Sequence, residues 1–181
     1  TLGIIGLGAI GARVADAALA LGMNIVGYDP YLSVHAALAL DRRVNVVNNL
    51  DDLLKVSDYI TIHVPLNDST RNTIDAEAIG KMKGSVRIIN LARNGLVDEE
   101  ALIPALESGR VAAYVTDFPD NRIANATGVI ALPHLGASTP ESEDNCAVMA
   151  AHELQDYLDN GNITNSVNLP NVSMERSGDA R

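Results

Sequence analysis

The chain has 181 residues, 47% of them hydrophobic and 20% charged, which is enough apolar material for a sizeable core and too much for global disorder. Its formal net charge of −10, without a basic cluster, argues against nucleic acid or an anionic membrane as the main partner. Aromatic residues make up only 3%, so the core must be built from Ala, Val, Ile and Leu, a palette that suits parallel sheets closely covered by helices.

The first run, LGIIG, reads as a strand, and GARVADAALALG after it as a helix stopped by Gly22. NIVGYD is a second strand. A weakly helical stretch leads to a short third strand, VNVV; DYITIHVPL is the fourth strand and SVRIINLA the fifth. DEEALIPALESG reads as a helix capped by Asp98 and stopped by Gly109. VAAYVTD and GVIALPH are the sixth and seventh strands. A long helix then runs from about Pro140 to Leu158, with Thr139 as N-cap, Pro140 at N1 and Glu141 and Glu143 at the positive dipole end. Alternating strands and helices predict an α/β fold, a doubly wound, mostly parallel Rossmann-type sheet with helices on both faces. The expected domain is 1–160, with 161–181 as an exit segment. No run reaches transmembrane length, and the single cysteine, Cys146, reads as a small core residue in a reducing compartment, the cytoplasm.

GLGAIG is a G-x-G-x-x-G pattern between an apolar strand and an alanine-rich helix, the setting that gives this otherwise weak motif meaning. Gly6 permits the tight turn, Gly8 lets a pyrophosphate approach the backbone, and Gly11 lets the helix pack on the strand. Asp29 ends the second strand 18 residues past the last glycine, where an acid accepts from the ribose hydroxyls of NAD and repels the extra phosphate of NADP. Pro30 and Tyr31 follow, so no arginine stands there to favour NADP. Ligands of open α/β sheets sit beyond the carboxyl ends of strands. Arg93 and His134 lie at such ends. An arginine that holds a carboxylate and polarises a carbonyl, with a histidine that moves a proton, suits a reaction in which the cofactor moves a hydride. His63, before the proline of a βα loop, reads as structural or as a backbone contact. His35 and His152 read as helix-face residues, and Lys81 and Lys83 as surface charge.

GIIGLGAIG, YDPY, HVPLNDSTRNTI, INLARNGLVDEEAL and PHLGASTPESEDNCA together resemble the NAD-binding domain of the D-2-hydroxyacid dehydrogenases over roughly residues 1 to 170. PHLGASTPESEDN and NGNITNSVNLP are most similar to the branch that acts on 3-phosphoglycerate. The resemblance implies NAD as cofactor, a small 2-hydroxy acid as substrate and a homodimer; no metal is expected. It places Ala9 and Ile10 at the pyrophosphate, Asp29 with Pro30 at the adenosine ribose, and Val64 and Pro65 along the ribose side. Leu91, Ala92 and Arg93 would line the nicotinamide, Asp117 would accept from its carboxamide, and His134, Gly136 and Ala137 would close the site. Arg93 would bind the substrate carboxylate and His134 would be the acid/base. The resemblance also implies a separate substrate domain, so the stretch in hand is expected to bind NAD and turn over little. Glyoxylate or hydroxypyruvate reduction, and a non-enzymatic NAD-sensing corepressor role, are the alternative readings.

Two departures stand out. Many members have Gly directly after the arginine; here Asn94 comes first and Gly95 second, so Asn94 is expected to take the left-handed turn. Members also carry a Glu that pairs with the imidazole, and the 17 positions from Asp117 to His134 hold none. With Asp117 assigned to the cofactor, Asp120 is the expected partner of His134.

Overall fold

The computed structural model describes residues 1–173. The elements run β1 (Leu2–Ile5), α1 (Ala9–Ala20), β2 (Ile25–Tyr28), α2 (Val34–Ala39), β3 (Val44–Val47), α3 (Leu50–Val56) and β4 (Tyr59–Ile62). They continue with α4 (Ala76–Lys81), β5 (Val86–Asn90), α5 (Glu99–Glu107), β6 (Val111–Thr116), α6 (Asn121–Ala124), β7 (Val129–Ala131) and α7 (Pro140–Asn160). The seven expected strands are present and every pairing is parallel, in the order β3-β2-β1-β4-β5-β6-β7.

The pleat sorts side chains to two faces. Leu2 and Ile4 of β1 join Ala15, Ala18 and Leu19 of α1 on one face. Ile5, with Ile60, Ile62 and Ile88, meets α3, α4 and α5 through Leu53, Leu54, Ile79, Leu102 and Leu106 on the other. Gly3 lets α3 come close, since a Cβ there would stand 2.6 Å from a Leu53 methyl carbon. Each fully buried Leu or Ile contributes about 1.5–3 kcal/mol relative to exposure, so the β1–β4–β5 centre, where these side chains are thickest, is the firmest base for a site.

The short helices α3, α4 and α6 were not expected. Each starts at a side-chain cap: Asn49 accepts from the Asp51 N–H, Asp75 from Ala78, and Asp120 from Arg122 and Ile123. Lys81 ties α4 to α3, its ammonium 2.9 Å from Asp51 and 2.6 Å from Glu77, both of which hold its pKa above the ordinary lysine value.

The chain divides into two compact units, Thr1–His134 and Leu135–Arg181, so α7 groups with the second unit, whereas the expected boundary followed residue 160. Thr139 caps α7 by accepting from Ser142 at 3.2 Å, Pro140 opens it, and Gly161 stops it in a left-handed conformation with φ 74°. Cys146 is exposed and not a core residue; α7 carries no buried side chain to pack it among. In the expected exit segment, Ile163 and Val172 exchange two backbone hydrogen bonds. Residues 174–181 of that segment lie outside the described residues. Among the described residues no helix is long and apolar enough to cross a membrane.

Candidate functional site

In the first unit, β1 lies between β2 and β4, so the winding reverses at its carboxyl end, the place where open α/β sheets form a ligand crevice. The glycine turn fills this point. Gly6 has φ 93°, and a Cβ on it would stand 2.6 Å from the His63 carbonyl oxygen at the end of β4. A Cβ on Gly11 would overlap the Gly6 carbonyl oxygen. Gly8 is different: it is the N-cap of α1, and nothing lies within 4 Å of where its Cβ would be. Packing therefore demands the first and third glycines, while the middle one keeps a surface open beside the first-turn amides of exposed Ala9 and Ile10, which have no intrahelical acceptor.

Asp29 does more than its position suggested. Its Oδ2 accepts from the Leu7 N–H at 2.9 Å and its Oδ1 from Tyr31 at 2.9 Å, so the carboxylate ties the glycine turn to the end of β2. Further lone pairs remain for hydroxyl donors. Gly6, Gly8, Asp29, Pro30, Val64 and Pro65, all expected cofactor residues, line one cleft of about 650 Å³. His63 lines it too. Its backbone N–H donates to Ile5 at 2.7 Å, its Nε2 lies 3.0 Å from the Thr61 hydroxyl, and burial pushes its imidazole pKa down.

At the end of β5, the buried side chain of Asn90 organises the arginine loop, a role that the sequence reading missed. Its Oδ1 accepts from Ala92 at 3.2 Å, and its Nδ2 donates to the Arg93 carbonyl at 2.9 Å and to the Tyr114 hydroxyl at 3.3 Å. Burial in turn pushes the Tyr114 phenol pKa up. Ala92 packs on the core, while Leu91 and Arg93 are exposed. The Arg93 Nη1 donates to the Ala92 carbonyl at 2.7 Å, and its fork has further N–H donors for a carboxylate. The left-handed residue of this turn is Gly95, at φ 83°, and not Asn94 as expected. Asn94 accepts the Gly95 N–H at 2.7 Å instead, because glycine takes that conformation without steric cost.

Beyond β6 the structure corrects the expected pairing. Thr116 is in register with Ala131, so parallel pairing brings the residues just past both strands to one end of the sheet. Asp117 Oδ2 lies 2.7 Å from His134 Nδ1. Asp120 does not pair with His134; its carboxylate is taken up by capping α6, accepting from Arg122 at 2.8 Å and Ile123 at 2.7 Å. The Phe118 ring lies 4.4 Å from the imidazole, centroid to centroid, and steadies it from one side. Phe118 is in turn held by its N–H to the buried Thr116 hydroxyl at 3.1 Å. The other Asp117 oxygen, Oδ1, is buried without a hydrogen-bond partner. Among the described residues no hydrogen bond or ion pair joins Arg93 to His134. Gly136 and Ala137 belong to the second unit, in a turn closed by the Ser138 N–H to Leu135.

The donor set fits a dinucleotide. The open backbone at Gly8 suits a pyrophosphate, the Asp29 carboxylate suits ribose hydroxyls, and the orphaned Asp117 Oδ1 suits an amide N–H.

Comparison with known proteins agrees. Residues 1–136 match the family described as D-isomer specific 2-hydroxyacid dehydrogenase, NAD binding domain. A D-3-phosphoglycerate dehydrogenase of Methanocaldococcus jannaschii is 41% identical over 98% of this chain and 35% of its own length. A hydroxypyruvate reductase of Thermotoga maritima is 45% identical over 79% of this chain and 48% of its own. The crystal structure of a glyoxylate reductase from Paecilomyes thermophila superposes with a TM-score of 0.80 at 34% identity, covering 92% of this chain and 52% of that one. The chain thus spans about a third of the length of the phosphoglycerate dehydrogenase it matches and about half of the other two.

Proposed function

We propose, for a chain that belongs to the D-isomer specific 2-hydroxyacid dehydrogenase family through its NAD-binding domain, that it is the cofactor domain of an enzyme oxidising 3-phosphoglycerate at C2. Its cofactor is NAD, which when bound supplies the two-electron acceptor for the C2 hydride. The observation that carries the enzymatic reading is the Asp117–His134 pair beside a dinucleotide fold. With Nδ1–H donated to the carboxylate, the neutral ring presents an Nε2 lone pair, which takes the hydroxyl proton as the C2–H bond breaks and the C2 carbonyl forms. Arg93 swings its guanidinium from the Ala92 carbonyl to the substrate carboxylate and polarises the developing carbonyl. The Asn90 bonds hold the backbone from which it acts.

The choice of 3-phosphoglycerate is supported by relatives named D-3-phosphoglycerate dehydrogenase that cover nearly all of this chain. A second reading, hydroxypyruvate or glyoxylate reduction, is favoured by the Thermotoga relative and by the superposed reductase. Steady-state assays of the full-length protein with 3-phosphoglycerate and NAD, and with hydroxypyruvate and glyoxylate plus NADH, separate them. The proposal expects 3-phosphoglycerate to have the highest kcat/KM; a higher value for either reductase substrate overturns it. The isolated chain is expected to bind NAD and turn over neither class. A second copy of the chain is the proposed partner, because α7 exposes Val148, Met149, Leu154, Tyr157 and Leu158. Sedimentation showing only monomer at micromolar concentration would exclude it. The proposed setting is the cytoplasm.

A further inference from the structure

Asp117 is a carboxylate with two differently occupied oxygens. Its side chain is 11% exposed, against 54% for His134. Oδ2 is engaged by the imidazole at 2.7 Å, while Oδ1 is buried with no partner. Leaving a buried acceptor unmade costs about 1–3 kcal/mol, more for a charged one, so such atoms call for an explanation such as a ligand donor. In this chain the acid that the resemblance places at the carboxamide is the same residue that holds the imidazole, and the other nearby carboxylate, Asp120, is consumed by a helix cap.

We propose that Asp117 is a shared positioning residue: Oδ2 orients His134 while Oδ1 is kept for the amide N–H of a bound nicotinamide, so that filling the cofactor site and ordering the base are coupled through one carboxylate. The inference rests on the NAD reading and deepens it. The coupling has a simple mechanical origin. The terminal torsion of an aspartate is broad, so a single hydrogen bond leaves the carboxylate free to swing about Cβ–Cγ. A donor on each oxygen removes that freedom. An amide on Oδ1 therefore locks Oδ2, and with it the imidazole, which also packs against the Phe118 ring. The bond to Oδ2 also sets the tautomer, with hydrogen on Nδ1 and a bare Nε2. A cofactor lacking the amide N–H would bind through its phosphates and riboses yet leave the base unlocked.

The test uses the protein labelled with ¹⁵N-histidine; its four histidines make His134 assignable by one His134→Gln comparison. Imidazole ¹⁵N shifts and linewidths are recorded free, with NAD⁺, and with the 3-acetylpyridine analogue, which keeps the carbonyl and lacks the amide. Calorimetry gives both affinities for wild type, Asp117→Ala and Asp117→Asn. The expected result is an Nδ1–H ring in the free protein that narrows with NAD⁺ and not with the analogue. Wild type should prefer NAD⁺ by about tenfold, the size of one charge-assisted hydrogen bond, and Asp117→Ala should lose that preference. Asp117→Asn, which preserves shape if the alanine variant fails to fold, should switch the neutral ring to the Nε2–H form. A ring carrying its hydrogen on Nε2 in wild type, identical His134 signals with both dinucleotides, or a preference that survives in both variants overturns the coupling while leaving NAD binding intact. Absence of any NAD⁺ binding overturns the underlying cofactor reading, and the coupling falls with it.

Discussion

Gly8→Ala and Gly11→Ala place the same methyl group on the same helix entry and should fail in opposite ways. At Gly8 the backbone is extended, with φ −69° and ψ −163°, a conformation open to alanine, and the added Cβ meets nothing within 4 Å. Losing glycine at an N-cap is unfavourable, and restricting the unfolded chain offsets it by about 0.4–1 kcal/mol. The net change in stability should be within about 0.5 kcal/mol, less than about 2 °C in Tm. The methyl would instead occupy the approach of the pyrophosphate. An overpacking cost of about 1–3 kcal/mol there weakens NAD by roughly 5- to 150-fold. At Gly11 the Cβ would overlap the Gly6 carbonyl oxygen and stand 3.0 Å from its carbon, and both atoms belong to backbone held by the turn. The same overpacking cost now falls on the fold, lowering Tm by about 2–12 °C for a chain of this size. Thermal unfolding and calorimetry of both variants make the assay. A Gly8→Ala protein that binds NAD as wild type does, or that melts as early as Gly11→Ala, would refute the division of labour among the glycines.

Asn90→Leu should lower stability by about 1–3 kcal/mol in urea unfolding, since the Tyr114 hydroxyl and the Arg93 carbonyl lose a buried partner, and should raise KM for the hydroxy acid in the full-length enzyme; an unchanged KM would detach Asn90 from Arg93. Asp120→Ala should cost about 0.5–2 kcal/mol through loss of the α6 cap and leave the pH–rate profile unmoved, whereas a shifted profile would restore Asp120 as the partner of His134. Burial of His63 favours its neutral ring in the folded state, so the unfolded chain takes up that proton first as pH falls. Its contribution to stability is therefore complete above the ordinary value of 6.5 and is lost as pH drops through the lower folded value. The stability difference between wild type and His63→Gln should shrink from about pH 7.5 to about pH 5, and a pH-independent difference would contradict the desolvation argument.

The central strands were legible because parallel strands buried on both faces read as apolar runs, as in LGII of β1 and VRIIN of β5; the edge strand β3, VNVV, is mostly exposed and was legible only as a short β-branched run. The long helix was legible from its ends, Thr139–Pro140 at the start and Gly161 within three residues of the expected stop. The helices α3, α4 and α6 are only four to seven residues long, too short for helical periodicity to emerge, although Asn49, Asp75 and Asp120 were available as capping signals. Asp120 was expected to hold the imidazole because the resemblance gives Asp117 to the cofactor, and a sequence does not show that the Asp120 carboxylate is taken up by a helix cap. What decides is the register of β6 and β7, which sets Thr116 beside Ala131 and leaves Asp117 at the strand end nearest the histidine loop. Asn90 escaped notice because its value lies in three partners, two in the loop after β5 and one, Tyr114 of β6, 24 positions away. Asp29 was found for its facing ribose position, while its bond to the Leu7 N–H depends on the parallel pairing of β1 with β2.

The central claim is that the Gly6–Gly11 turn and Asp29 form an NAD site. Calorimetric titration of the protein with NAD⁺ and with NADP⁺ tests it most directly. The account predicts one NAD⁺ per chain and NADP⁺ weaker by about tenfold or more, because the Asp29 carboxylate repels the added phosphate. Equal affinity for the two, or no heat with either, would contradict it.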